Sequence, residues 1–292
     1  MSNSLDFSIL LNTLPIELPV FHAIALELQH HLEQPNFSMA KTIALVNEDQ
    51  SLAGHILKMS NSVAYMGLVP IDTIKSAVIR LGSRQVCNIA MTVSQSGLHA
   101  SQNQVVHGLM QSLWEHSYSC ALGCKWVAEK TGNSQHADHA YMAGLLHDIG
   151  KLFLLKGMER LNIMGVTQAD LEKKLLLEVF DAHHIEQGRR LMRQWNMPDI
   201  YSHVVADHHN ESFTPGDTVM TIVRFVNTAC KVKGLGMEVA IDIPLQELPE
   251  ALALSLDEEK VNGLLQVLDE SKNQEMDIST AFTKASARKR IV

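Results

Sequence analysis

The sequence predicts an all-α protein of two packed helical subdomains, and three observations carry that prediction. Apolar residues recur at i, i+3, i+4 and i+7 along nearly the whole chain, the spacing of one helix face. No run of four to eight residues alternates apolar and polar between turn dipeptides, as a sheet protein would offer repeatedly. A chain of 292 residues that is 46% hydrophobic can fill a core, yet it exceeds the usual size of a single one.

The elements follow in order. Phe21, Ile24, Ala25, Leu28 and Leu32 form a stripe directly after Pro19, a residue suited to a first helical turn. Ile74, Ala77, Val78 and Leu81 repeat the pattern, with Asp72 as candidate cap and Gly82 as the stop. Val86, Ile89, Ala90 and Val93 do so again after Ser83. Apolar content then falls in SQSGLHASQNQ, Ser94 to Gln104, which predicts a seam between a first subdomain over 1–103 and a second over 104–235. Helices are predicted in the second at about 106–131, 137–156, 168–195, 198–209 and 217–233. A tail over 236–292 carries a candidate capping box, Ser255 with Glu258, and a stripe of Val261, Leu264, Leu265 and Leu268 that should pack on the body.

Composition narrows the function. Lys plus Arg number 24 against 32 Asp plus Glu, a net charge of -8 whose sign opposes a phosphate backbone, so nucleic acid is not expected as a partner. Four cysteines without a CxxC pair, and a start that lacks a basic-then-apolar leader, point to the reducing cytosol and a cytoplasmic location. The uncharged stretch between Arg84 and Glu115 is interrupted by Gln, Ser, Asn and His, so no membrane span is predicted. The outlier is histidine, with 15 residues, and histidine is the commonest metal ligand.

Those histidines collect around one segment. YMAGLLHDIGKLFLL, Tyr141 to Leu155, is apolar on all sides and predicts a buried helix, yet His147, Asp148 and Lys151 sit in its middle. A buried carboxylate needs a cation, either Lys151 or an Arg in a salt bridge or a metal. His116 shares a helix face with Leu113, Cys120 and Val127, and His184 shares one with Gly188, Leu191 and Trp195. His208 and His209 each follow a valine by one turn, Val204 and Val205. Imidazoles and a carboxylate on facing helices are how bundles build metal sites. His183 should point about 100° away from His184 and be a bystander. Cys120 and Cys124, one turn apart, read as core residues because no partner cysteines stand at zinc-site spacing. Glu178 is either a support for His184 or a solvated face.

The order His116, His147-Asp148, His184, His208-His209 resembles the HD superfamily of metal-dependent phosphohydrolases, and GLLHDIGK resembles its defining segment. LPIELPVFHAIALEL at 14–28, NEDQSLAGHILKMSNSVAY at 47–65 and AVIRLGSRQVCNI at 77–89 resemble the HDOD domain, an HD-related module of bacterial signalling proteins. The resemblance covers roughly 14–235 and implies a second subdomain built as an HD-type bundle. It implies one or two divalent transition metal ions, Fe or Mn with Zn or Ni as substitutes, at His116, His147, Asp148, His184, His208 and His209. Asn227 stands where the superfamily usually has an aspartate, and a neutral amide is a poorer ligand that cannot bridge two cations. Many HDOD members act as protein-binding outputs, which implies a signalling protein as partner. The retained ligands imply the alternative, hydrolysis of a nucleotide or other phosphoester, with Asp148 at the metal and Lys151 on the developing phosphate charge. The Gly-Tyr-Pro motif of cyclic dinucleotide phosphodiesterases is missing from NESFTPGD, which lowers the weight of that substrate.

Overall fold

The computed structural model describes residues 21–62, 65, 67–165, 173–210, 216–237 and 240–272. Among them every regular element is helical, and no strand occurs. The chain forms two compact units, one within Val20–Leu98 and one within His99–Ser271.

The first unit contains α1 (Ala23–Leu32), α2 (Met39–Glu48), α3 (Gln50–Ser60), α4 (Ile74–Leu81) and α5 (Ser83–Ser96). Its core collects Phe21, Leu28, Leu52 and Ile56 with Val86 and Ile89 of α5. Thr73, not Asp72, caps α4: its extended backbone lets Oγ1 accept from Ser76 N at 3.0 Å. Gly82 ends α4 at φ 82°, a conformation that favours glycine. Asn61 closes α3 by donating Nδ2 to Leu57 O and Ile71 O, while its Oδ1 accepts from Ile71 N. The predicted seam starts too early, because α5 runs on to Ser96 and both Ser94 and Gln95 are buried. Ser94 Oγ accepts from His22 N at 2.6 Å, and that bond makes a polar residue affordable in a buried helix.

The second unit holds α6 (Gln104–Lys130), α7 (Ala137–Leu146), α8 (Ile149–Ile163), α9 (Lys173–Gln194), α10 (Asp199–Asp207), α11 (Thr218–Val232) and α12 (Pro249–Ala253). A final helix, α13, covers 258–272. Asp257 caps it through Lys260 N at 2.9 Å, whereas Ser255, the predicted cap, sits in a turn at φ 52°. Val261, Leu264 and Leu268 of its stripe are buried as the spacing predicts. Residues 168–172, Pro19 and the segment 14–18 lie outside the described residues.

The main departure is at the centre. The continuous helix predicted over 137–156 is two helices broken at His147 and Asp148, with Asp148 at φ -102°, ψ 15°. Asp148 occupies the N-cap position of α8, yet its carboxylate makes no capping bond there. Aspartate readily leaves helical geometry because its side chain competes for local hydrogen bonds, and here the break turns the carboxylate inward instead of onto the α8 amides.

Candidate metal centre

Five helical segments of the second unit place ligand-type side chains at this break. α6 contributes His116, the α7–α8 junction His147 and Asp148, α9 His184, and the end of α10 His208 and His209. α9 reaches the junction because two glycines face each other there. A Cβ on Gly150 would overlap the His184 carbonyl oxygen and lie 2.8 Å from Gly188 N, so only glycine lets α8 and α9 cross this closely.

Asp148, 2% exposed, is the hub. Its Oδ2 lies 2.8 Å from Lys151 Nζ, 3.4 Å from His147 Nε2 and 3.6 Å from His116 Nε2. Its Oδ1 lies 3.5 Å from His208 Nε2 and 3.8 Å from His184 Nε2. Burial alone would raise the Asp148 carboxyl. The Lys151 ammonium beside it instead holds it well below the usual carboxylate range. Thus the salt bridge and the His cluster that the sequence offers as alternatives meet at one carboxylate, one oxygen turned to each side.

The imidazoles are all set in one sense. His147 Nδ1 donates to Gly144 O at 2.8 Å, His184 Nδ1 to Phe180 O at 2.5 Å and His208 Nδ1 to Val204 O at 3.1 Å. His116 Nδ1 donates to Leu235 O at 3.2 Å. A carbonyl can only accept, so each Nδ1 carries a proton, and in the neutral rings each Nε2 presents a lone pair to the centre. Backbone carbonyls take the supporting role open to Glu178, which is exposed. Loss of hydration pushes the His147 pKa well below its ordinary value and lowers that of His184, which keeps these rings neutral. His209 is the exposed member; loss of water around its ring and the adjacent His208, with ring centres 4.1 Å apart, push it down to about 3.

The donors fit a metal. His184 Nε2, His208 Nε2, Asp148 Oδ1 and Asn227 Oδ1 are all buried without a hydrogen-bond partner, a concentration that is costly unless a cation satisfies them. Asp148, His184, His208 and His209 bring one donor atom each within 4.8 Å of the others, and so do His116, Cys120 and His147. Metal-binding histidines characteristically donate the second ring nitrogen to a carbonyl or carboxylate, as these do. His183 is more exposed than His184 and belongs to neither group. Sequence spacing misses Cys120 and its neighbour Cys230, whose sulfurs lie 3.5 Å apart across 110 residues.

A model of the HDOD domain matches residues 18–211. An uncharacterized protein of Treponema pallidum (strain Nichols) is 25% identical over 244 residues, 81% of this chain; the match spans only 45% of that protein. Among solved structures, an HDOD domain protein of unknown function from Geobacter sulfurreducens superposes with a TM-score of 0.66 at 22% identity, covering 91% of this chain and 92% of that one. A candidate metal-dependent phosphohydrolase from Shewanella amazonensis SB2B gives 0.68 at 22% identity over 92% and 100%. A candidate signal transduction protein from Marinobacter aquaeolei VT8 gives 0.70 at 19% identity over 97% and 66%. At these identities the structural matches establish the shared fold.

Proposed function

The chain belongs to the HDOD domain family, and from that premise we propose that it is a cytoplasmic signal-transduction module. In this reading its His–Asp cluster holds a divalent transition metal, and its output is contact with a signalling protein. His116, His147, Asp148, His184, His208 and His209 would hold the ion, with Asn227 as a weak neutral donor. The names of the Shewanella and Marinobacter proteins agree with metal chemistry and with signalling respectively.

The observation that carries the reading is the convergence of buried donors: His184 Nε2, His208 Nε2, Asp148 Oδ1 and Asn227 Oδ1 have no hydrogen-bond partner in the protein, which a bound cation would satisfy. A small recess beside Asp148 is lined by His116, Lys151 and Lys231. Leu235, Gly236 and Met237 border it, and Leu235 is tied to the His116 ring through its carbonyl. Such an ion joins helices that hold the unit together, a structural use of a site whose ligands resemble those of a hydrolase. A cytoplasmic setting is supported by four buried cysteines that form no disulfide. Among the described residues no helix is long and apolar enough to cross a membrane.

One observation favours the second reading, a metal-dependent phosphohydrolase: the same recess is flanked by Lys151 and Lys231. When bound, the metal would supply an activated water and polarise a phosphoryl oxygen. Lys151 would then hold negative charge on the phosphate while Asp148 stays ionised. The test uses the full chain purified without chelator, analysed for metal and assayed against nucleotides and phosphodiesters with Mn and Fe. One or two ions per chain without turnover is the expected result. Turnover abolished by Asp148→Asn would replace the first reading with the second. Metal-free protein whose melting ignores added metal would overturn both.

A further inference from the structure

His116 Nε2 and His147 Nε2 face each other at 3.2 Å. Each ring spends its Nδ1–H on a backbone carbonyl, so both Nε2 atoms are acceptors whenever the two rings are neutral. A cation set against both nitrogens would satisfy them together. Cys120 stands one turn after His116 on α6, and its sulfur lies 3.8 Å from His116 Nε2. Zinc-like bond lengths of about 2.0–2.1 Å to nitrogen and about 2.3 Å to sulfur, at tetrahedral angles, require donor separations of about 3.4 Å for N···N and about 3.6 Å for N···S. The observed edges of 3.2 and 3.8 Å match those requirements to within a few tenths of an ångström.

Charge argues in the same direction. α11 presents the neutral amide of Asn227 to the interior, and the Asp148 oxygen on this side is already taken by Lys151 at 2.8 Å. A dication against two neutral imidazoles and a shared carboxylate lacks negative charge, which a thiolate supplies. The sulfur is also held in place. Cys230 lies 3.5 Å from it, one turn after Asn227 on α11, and its thiol can donate a hydrogen bond to a Cys120 thiolate. On the other side, Gly144 lets α7 close on the α6 backbone, since a Cβ there would lie 2.9 Å from Cys120 O and from Cys124 Sγ. His116, Cys120, His147 and Cys230 are all buried.

We propose that the His116 half of the cluster is a nitrogen–sulfur centre in which His116 Nε2, His147 Nε2 and Cys120 Sγ bind a thiophilic divalent ion such as Zn²⁺ or Co²⁺. Cys230 is the positioning residue for the sulfur, and on binding the Cys120 proton leaves to solvent. This rests on the metal-bound reading above and assigns its soft donor.

The experiment loads chelator-treated full-length protein with Co²⁺ and records the sulfur-to-cobalt charge-transfer absorption in the near ultraviolet. Wild type, Cys87→Ser and Cys230→Ser should show the band, and Cys120→Ser should bind cobalt without it. X-ray absorption on the zinc-loaded wild type, which needs no variant to fold, should show one sulfur at about 2.3 Å. Cobalt bound in the wild type with no charge-transfer band, or a zinc shell of nitrogen and oxygen alone, would overturn the sulfur assignment and leave the metal reading standing. Failure of the wild type to bind either ion would overturn both.

Discussion

Replacing Gly150 by alanine should both destabilise the second unit and weaken its metal site. In an exposed helix the substitution gains about 0.8–1 kcal/mol. At Gly150 the new methyl meets main chain: it overlaps the His184 carbonyl oxygen and sits 2.8 Å from Gly188 N, where ordinary contact begins near 3.4 Å. No rotamer change relieves a clash with backbone, so α8 and α9 must part by about half an ångström or more. Overpacking of this kind costs about 1–3 kcal/mol. Near the top of that range the net loss after the propensity gain is about 2 kcal/mol, a fall in Tm of roughly 4–8 °C for a unit of this size. The same movement carries His184 away from Asp148, and displaced support for a ligand typically costs 10–100-fold in metal affinity. The assay is a thermal melt with metal and with chelator, beside Gly108→Ala on α6. Gly108 has nothing within 4 Å of its virtual Cβ and should gain up to about 1 kcal/mol. A Gly150→Ala protein that melts at or above wild type and keeps its metal would refute the crossing argument.

Further outcomes follow from the same geometry. His184→Ala should lose the metal-dependent part of the melting shift, whereas His183→Ala should retain it within a surface-sized change of about 0.5 kcal/mol; equal shifts in both would mean that His184 is no ligand. Asn227→Asp should raise the ion count per chain and enlarge the Tm gain on adding metal, and an unchanged ratio by elemental analysis would remove position 227 from the donor set. In chelated protein, stability should fall as pH drops below about 6.5, because the unfolded chain takes up protons that the folded rings of His147, His184 and His209 refuse. For His209 that loss continues to about pH 3, and Asp148 adds to it below about 3.8; a flat urea midpoint between pH 7 and 5 would contradict the assigned neutral rings. Lys151→Met should destabilise metal-free protein by about 3–5 kcal/mol by stranding Asp148, and less with metal bound; equal losses in both states would show that no cation compensates the carboxylate.

The helical class and most helices are legible because apolar spacing is a local signal, and the buried stripes at α1, α4 and α13 lie where it puts them. The break at His147–Asp148 leaves no such signal. LLHDIGKL is apolar on both sides, and the turn is imposed by groups that arrive from α6, α9 and α10. Capping fails at Asp72 and Ser255 for a finer reason: Thr73 has the extended backbone that aims its oxygen at the amide, Asp257 reaches Lys260 N while Ser255 sits at positive φ, and angle is not written in residue type. The supports of the histidines are invisible for another, since Phe180, Val204 and Gly144 act through carbonyls that every residue owns. Cys120 and Cys230 meet only after α6 and α11 have packed, so no spacing rule could pair them.

The donors of the centre are strung from residue 116 to residue 209, on helices that must first exist and then converge. A collapsing chain therefore offers an ion at best the adjacent pairs His147-Asp148 and His208-His209, which are too few to hold it tightly. Capture belongs to the far side of the folding barrier, once α9 has slid against Gly150. Metal should then leave the refolding rate nearly untouched and act on the escape rate from the native state. In a cell, the ion would govern how long a folded copy lasts rather than how quickly one is made.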